Sequence, residues 1–245
     1  MTYSVLIAAP FLIAAIVMAF RFVGCTQDFG PFEQQPGDGT EVLKVHAVAT
    51  LSGSGQLAAE AAFAPHKDPD NRDFAPQGVY SYDIPWWCIY IDLFLLGGGG
   101  GGSGGVPVGN GGLGGSWKTV TLWRGSGPQP PGVVQIPAAT TSISITVGSG
   151  GAGGATPGPG GDTTATAAGI SQKTAHGGAA AANPDATGTG SNQSDPLNGT
   201  TKTGGADQTA YDAAGNAPGG GGAGGFFSGG GAGADGEAWV VARQT

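Results

Sequence analysis

Acidic residues are the first group in this sequence that could do chemistry. Asp68, Asp70 and Asp73 are spaced closely enough to suggest a cation site, but they lack the glycine and the terminal glutamate of a calcium-binding loop. Lys67 and Arg72 lie among them, as in an ordinary solvated loop of mixed charge. We therefore interpret these carboxylates as surface groups.

Nucleophile and metal motifs are absent from the sequence. The histidines are widely scattered, without the ligand spacing of a metal site. Cys25 and Cys88 cannot form a disulfide framework, and Cys88, within an apolar run, is expected to be a small buried hydrophobe. The Gly-Ser-Gly triplets lack a nucleophile-elbow motif, and no phosphate-binding loop occurs. We expect no catalytic residue, no metal and no cofactor, and interpret the protein as not an enzyme.

The composition directs attention to the main chain instead. The 245 residues include 51 glycines, roughly three times average usage. Lys and Arg total only 9 against 17 acidic residues, which excludes a nucleic-acid partner bound by a basic face. Because glycine loses the most backbone entropy on folding, such a chain either stays disordered or uses glycine as its packing unit.

Alternating apolar residues predict the β-strands that would position any functional surface. The pattern has period two, which is typical of half-buried strands. Residues 64–77 contain three prolines and many charges, and we interpret them as a loop. The predicted strands lie within residues 42–51, 79–84, 87–96, 117–124, 141–147 and 237–243.

Three glycine blocks, residues 97–115, 148–161 and 217–236, are bracketed by these strands. A flexible linker would not need that arrangement. Polyproline-II-like helices packed side by side would let the glycine backbones hydrogen-bond to one another. The predicted fold class is therefore mostly β, with a small β-sandwich or sheet base and a glycine-rich polyproline-II or polyglycine-II-like bundle. The alternative is a disordered low-complexity tract.

The N-terminal segment is apolar over residues 5–23, from Val5 to Val23. Its length suits a membrane-spanning or signal-anchor helix, and equally an apolar helix buried in an assembly. An export signal is a third interpretation, with a lipobox-like sequence before Cys25, but the positive n-region is missing. The predicted domains are an apolar helix over 1–24, a linker over 25–40, a small β segment and loop over 41–77, and the glycine-rich domain over 78–245.

Several ordered motifs resemble the glycine-rich domain of minor tail proteins from phages that infect mycobacteria and related actinobacteria. They are GVYSYDIPWWCIYIDLFLLGGGGGGSGG, GSWKTVTLWRG, SISITVGSGGAGG and NAPGGGGAGGFFSGGGAGADGEAWVVARQ. The resemblance covers roughly residues 45–245 and rests on the motifs and their order. It implies a virion structural protein of the tail tip or a tail fibre.

The resemblance also implies a binding role for loops that emerge from the glycine core. The expected partners are other tail proteins, further copies of the chain (a trimer by analogy with tail fibres) and a component of the host cell envelope. The loops concerned are residues 106–113, 183–200 and 226–228, although Phe226 and Phe227 could instead pack on the sheets. The host-contact candidates are Val106, Val108, Asn110, Leu113, Asn192, Asn198, Phe226 and Phe227.

A second function is compatible with the same residues. Membrane contact through residues 5–23 would make the protein a membrane- or wall-anchored glycine-rich surface protein of an actinobacterium. Its location would then be the cell envelope instead of the tail of a virion.

Overall fold

The computed structural model describes residues 46–51, 57–62, 67–125 and 128–244. The chain divides into two units, Met1–His66 and Lys67–Thr245. In the first unit the described residues form the antiparallel strands β1 (His46–Leu51) and β2 (Leu57–Ala62), with His46 opposite Ala62.

The described residues are mostly β and contain no α-helix, which corrects the predicted fold class. That prediction included an N-terminal apolar helix over residues 1–24. Those residues, like the linker over 25–40, lie outside the described part of the chain, so nothing in the structure supports the helix. The described residues include no helix that is long and apolar enough to cross a bilayer.

Two sheets form the base of the second unit. Its strands are β3 (Asp70–Phe74), β4 (Gly78–Asp83), β5 (Tyr90–Leu96), β6 (Trp117–Trp123), β7 (Val134–Gln135), β8 (Ser142–Val147), β9 (Thr163–Thr166), β10 (Lys173–Ala175) and β11 (Glu237–Arg243). One sheet has the order β10-β9-β8-β4 and the other β3-β11-β5-β6-β7. All neighbours are antiparallel except β6 and β7. The alternating runs predicted β4, β5, β6, β8 and β11.

Strand β3 lies within the segment that we interpreted from the sequence as a loop. It pairs with β11 at the edge of the five-stranded sheet, where Phe74 lies opposite Ala238. Its three central residues are exposed. An edge strand tolerates charged side chains because only one side of its backbone must be paired. The charged residues therefore predicted a loop where the structure has strand β3, which is held by its pairing with β11.

The apolar core lies between the two sheets. Ile91, Leu93 and Leu95 of β5 share one apolar cluster with Ile143 and Ile145 of β8, and all five side chains are fully buried. The other side of β5 is buried as well, with Phe94 and Leu96 packed in a second cluster. A strand buried on both faces can hold the sheets and whatever continues from its end in a fixed position.

That continuation is residues 97–104, the central segment of a bundle of glycine-rich segments. Its N–H groups donate to three neighbours in rotation, at N···O distances of 2.8–3.1 Å. Residues 97, 100 and 103 donate to 110–116, residues 98, 101 and 104 to 154–161, and residues 99 and 102 to 231–234. The partner changes with a period of three residues, as in a helix with three residues per turn.

The carbonyl groups of the central segment follow the same rotation toward three further neighbours. Residues 98 and 101 accept from 178–181, residues 99 and 102 from 151–154, and residues 100 and 103 from 222–225. Six segments thus surround the central one. A Cβ added at Gly101 would overlap the Ala152 carbonyl oxygen, and one at Gly102 the Ala223 carbonyl oxygen. Glycine is required here by the close approach of neighbouring backbones.

We expect Gly101→Ala to lower the free energy of unfolding by about 3 kcal/mol, because the added methyl group has only main chain to displace. The matched control is Gly158→Ala, at the hydrogen-bond partner of Gly101, where an added Cβ would lie 3.5 Å from its nearest neighbour. Its effect should stay within about 0.5 kcal/mol. Urea unfolding followed by circular dichroism measures both. Equal losses would contradict the close-approach argument.

Cys88 is buried, as expected for a small apolar side chain, and its thiol donates to the Tyr90 carbonyl oxygen at 3.0 Å. Burial raises the pKa of the thiol from 9.0 to about 11, because a thiolate would lose its hydration there. Between these two pH values the folded chain keeps a proton that the unfolded chain releases. The contribution of Cys88 to stability is therefore complete below pH 9 and is lost as the pH rises toward 11.

Iodoacetamide at mildly alkaline pH should leave Cys88 unmodified in the folded chain and alkylate it in urea. Peptide mass spectrometry reads the two states separately. Rapid alkylation of Cys88 without denaturant would show that the thiol is neither buried nor held in its protonated form.

Candidate functional site

The far end of the glycine bundle is built by chain reversals remote from the sheets. The central segment leaves β5 at residue 97 and reaches its first reversal after residue 104. At the rise of a three-residue helix this places the reversal about 20 Å beyond the sheet edge. Residues 105–109, 210–213 and 225–229 meet at this end, which we call the tip.

Five large apolar side chains are exposed at the tip. Val106 is 85% exposed and Phe227 is 63% exposed, and both lie at chain reversals. The Phe226 ring lies 4.7 Å from the Phe227 ring and 5.5 Å from the Tyr211 ring, between centroids. Val108 pairs with Phe226 in an isolated antiparallel bridge. The three rings therefore form one aromatic cluster, and the two valines lie on the reversal that is paired with it.

Main-chain and side-chain hydrogen bonds hold the reversals together. The Phe227 N–H donates to the Pro107 carbonyl at 3.0 Å, which ties the 226–228 turn to the 105–109 turn. The Asp212 carboxylate accepts from the Phe226 N–H at 3.3 Å and from the Ser228 hydroxyl, which ties in the third turn. The apolar side chains are therefore presented on a preorganised support, which lowers the entropy cost of binding.

Phe227 has a left-handed backbone with φ of 53°. A bulky residue costs about 1–2 kcal/mol in this region, where glycine would cost nearly nothing. In a domain so rich in glycine, an aromatic side chain at such a position marks it as a functional candidate.

The structure brings four of the eight host-contact candidates together at the tip: Val106, Val108, Phe226 and Phe227. Asn110 lies beside them, with its side-chain amide donating to the Ala181 carbonyl at 3.2 Å. Leu113 lies within the bundle, where its N–H donates to Ala179 and its carbonyl accepts from Gly100.

Asn192 and Asn198 lie at the sheets, away from the tip. Residues 192–203 form a hairpin over the outer face of the five-stranded sheet, where Leu197 packs on the Phe94 cluster. The Asn192 carbonyl accepts from the Gly204 N–H at 2.8 Å. The Asn198 amide donates to the Asp92 carboxylate at 2.8 Å.

Asp92 is a buried carboxylate with three side-chain partners. It accepts from Thr121 Oγ1 at 2.6 Å and from Arg243 Nε at 2.9 Å, besides Asn198. A buried charge needs such pairing to offset its lost hydration. Asn198 therefore stabilises the packing of the 192–203 hairpin on the five-stranded sheet.

Tyr211 belongs to the tip but was not among the residues singled out from the sequence. Its ring is exposed and tilted against Phe226. One signal could have identified it, because it is one of very few large side chains in the small, polar stretch 162–216. Its contact with Phe226 depends on a fold that brings residues 15 positions apart onto one surface.

The acidic residues of the first sequence motif are engaged elsewhere. Asp70 pairs with Arg72 Nε at 3.0 Å and accepts from the Tyr82 hydroxyl, also at 3.0 Å. Burial and the Asp70 carboxylate raise the pKa of the Tyr82 hydroxyl, so it remains a donor. Among the described residues, no cluster of three or more His, Cys, Asp or Glu side chains could hold a metal ion.

We expect Phe227→Asn to leave the thermal midpoint no lower than that of the unsubstituted chain, because asparagine adopts the left-handed region at lower cost than phenylalanine. Little burial is lost, since the ring is 63% exposed. The matched control is Phe226→Asn, where φ is not positive and the ring contacts Tyr211 and Phe227. That control should be destabilised by about 1 kcal/mol. Differential scanning calorimetry distinguishes them, and a larger loss at Phe227 would contradict the strain argument.

The chain was compared with known protein families and with curated proteins. A model of the glycine-rich domain family matches residues 75–209, more than half of the chain. The "Gene 32 protein" of Mycobacterium phage D29 is 39% identical over an alignment of 199 residues, which covers 73% of this chain and 85% of that protein. The "Gene 32 protein" of Mycobacterium phage L5 is 47% identical over an alignment of 112 residues, which covers 42% of this chain and 47% of that protein.

The glycine bundle of the structure agrees with the match to a glycine-rich domain family. The family match covers strands β4–β10 and most of the glycine segments, and the two relatives are bacteriophage proteins. The match to the phage L5 protein spans about half of that relative's length. The chain therefore belongs to the glycine-rich domain family, in a form that it shares with mycobacteriophage proteins.

Proposed function

We propose that this protein is a structural protein of a phage virion, a minor tail protein at the tail tip or fibre, that attaches to the host surface. The observation that carries the proposal is the exposed apolar tip at the end of a hydrogen-bonded glycine bundle. Soluble proteins rarely leave such a surface uncovered unless it binds something. The similarity to mycobacteriophage proteins supports a phage origin.

The bundle suits a display role because most of the hydrogen bonds that support it join main-chain groups. Its segments are joined by hydrogen bonds in six directions, so the tip is held in place without a large apolar core beneath it. Attachment of this kind is non-catalytic. Its partners would be other tail proteins, further copies of this chain and a component of the host envelope. Several tips on one particle would add weak contacts by avidity.

Adsorption competition tests the attachment role. Purified full-length chain, added before the phage that encodes it, should reduce adsorption to host cells because the free tip occupies the same surface sites. The double variant Phe226→Ser, Phe227→Asn should need at least about tenfold more protein for the same effect. The control Trp86→Ser removes an aromatic side chain that is 77% exposed on a turn outside the tip, and it should compete normally.

Immunogold labelling of purified virions tests the location. Label on the tail is the expected result. A chain missing from virions, or label on the capsid alone, would contradict the tail assignment. A membrane- or wall-anchored surface protein would instead be recovered from the cell envelope in the absence of phage particles.

A further inference from the structure

We propose that the tip binds by inserting its apolar side chains into a lipid surface that carries no net negative charge. This inference rests on the proposed attachment function and names the partner's chemistry. Three features of the tip lead to it: the direction of its polar groups, its charge and the arrangement of its rings.

The polar groups nearest the rings are turned toward the protein itself. The Asp212 carboxylate accepts from the Phe226 N–H and the Ser228 hydroxyl, and the Phe227 N–H donates to Pro107. Protein interfaces surround their apolar centre with hydrogen bonds across the contact. The five exposed side chains of the tip are carbon apart from the Tyr211 hydroxyl, and insertion among acyl chains requires no directional bond.

The glycine segments that build the tip carry no cation. Residues 97–116 and 204–236 contain no Lys, Arg or His, and Asp212 is an acid beside the rings. Proteins that bind anionic headgroups use Lys and Arg at the surface. An acidic tip without cations gains nothing from an anionic headgroup, which leaves burial of apolar area as the source of affinity.

The rings do not form a flat platform for a sugar. Phe226 and Phe227 are nearly perpendicular, at 83°, and Phe226 is tilted by 36° from Tyr211. A sugar ring could stack on one of them at a time. Two exposed rings at right angles, with the exposed Val106 on the adjoining reversal, are suited to filling the space between acyl chains.

The test uses the full-length chain and vesicles of phosphatidylcholine, which have no net charge. We expect the chain to sediment with these vesicles, with an affinity that changes little between low and high salt. The double variant Phe226→Ser, Phe227→Asn should bind at least about tenfold more weakly, because it removes two large apolar side chains. The control Trp86→Ser should bind like the unsubstituted chain.

Hydrogen-exchange mass spectrometry locates the contact independently of other apolar segments of the chain. Vesicles should slow exchange in peptides containing residues 105–109 and 225–229, and leave the turn that contains Trp86 unchanged. Vesicle binding without protection of the tip would overturn the inference, as would binding that requires anionic lipid.

Two outcomes separate this inference from the proposed function. A chain that blocks phage adsorption but does not bind phosphatidylcholine vesicles would overturn the lipid inference and leave attachment standing, with a protein or glycan as the receptor. A chain that binds vesicles through the tip but does not block adsorption would overturn the attachment function and leave the lipid contact standing.

Discussion

Satisfaction of backbone hydrogen bonds, without side chains at the contact, is the constraint on which this structure depends. The N–H groups of residues 97–104 and the carbonyl groups of residues 98–103 find partners on six neighbouring segments. Polar main-chain groups shielded from water must be paired, and a Cβ at most of these positions would separate the segments. The high glycine content is therefore a packing requirement.

The two sheets supply the apolar core that the glycine segments cannot form. A glycine segment has no apolar side chain to bury, so it has no strong means of choosing its neighbours during folding. The described strands bury Ile91, Leu93 and Leu95 against the opposite sheet and fix the points from which the segments start. The Asp92 cluster and the 192–203 hairpin close the outer face of the same sheet. The small apolar core between the sheets thus fixes where each glycine segment of the bundle begins.

The tip differs from the rest of the glycine-rich domain in the size and exposure of its side chains. Elsewhere, most contacts between segments are made by glycine or alanine, whereas here bulky apolar groups are exposed and one of them has a left-handed backbone. Each feature is unfavourable for an isolated protein. Together, on a support held by hydrogen bonds, they form an apolar surface that is suited to binding a partner.

The sequence by itself predicted features that depend on local periodicity. Alternating side chains located β4, β5, β6, β8 and β11, because a strand with one buried face must repeat every two residues. The apolar character of Val106, Val108, Phe226 and Phe227 was also visible, as was their position between glycines. The N-terminal helix was not supported, because residues 1–24 lie outside the described structure and the described residues contain none.

Only the tertiary structure decided which distant segments meet. Tyr211 lies beside Phe226, and Asn198 binds the Asp92 carboxylate away from the tip. The charged segment that was predicted to be a loop forms an edge strand, β3. Glycine carries no side chain that could encode its neighbour. The partners of each glycine segment therefore follow from where the strands release the chain, and that information is not local in the sequence.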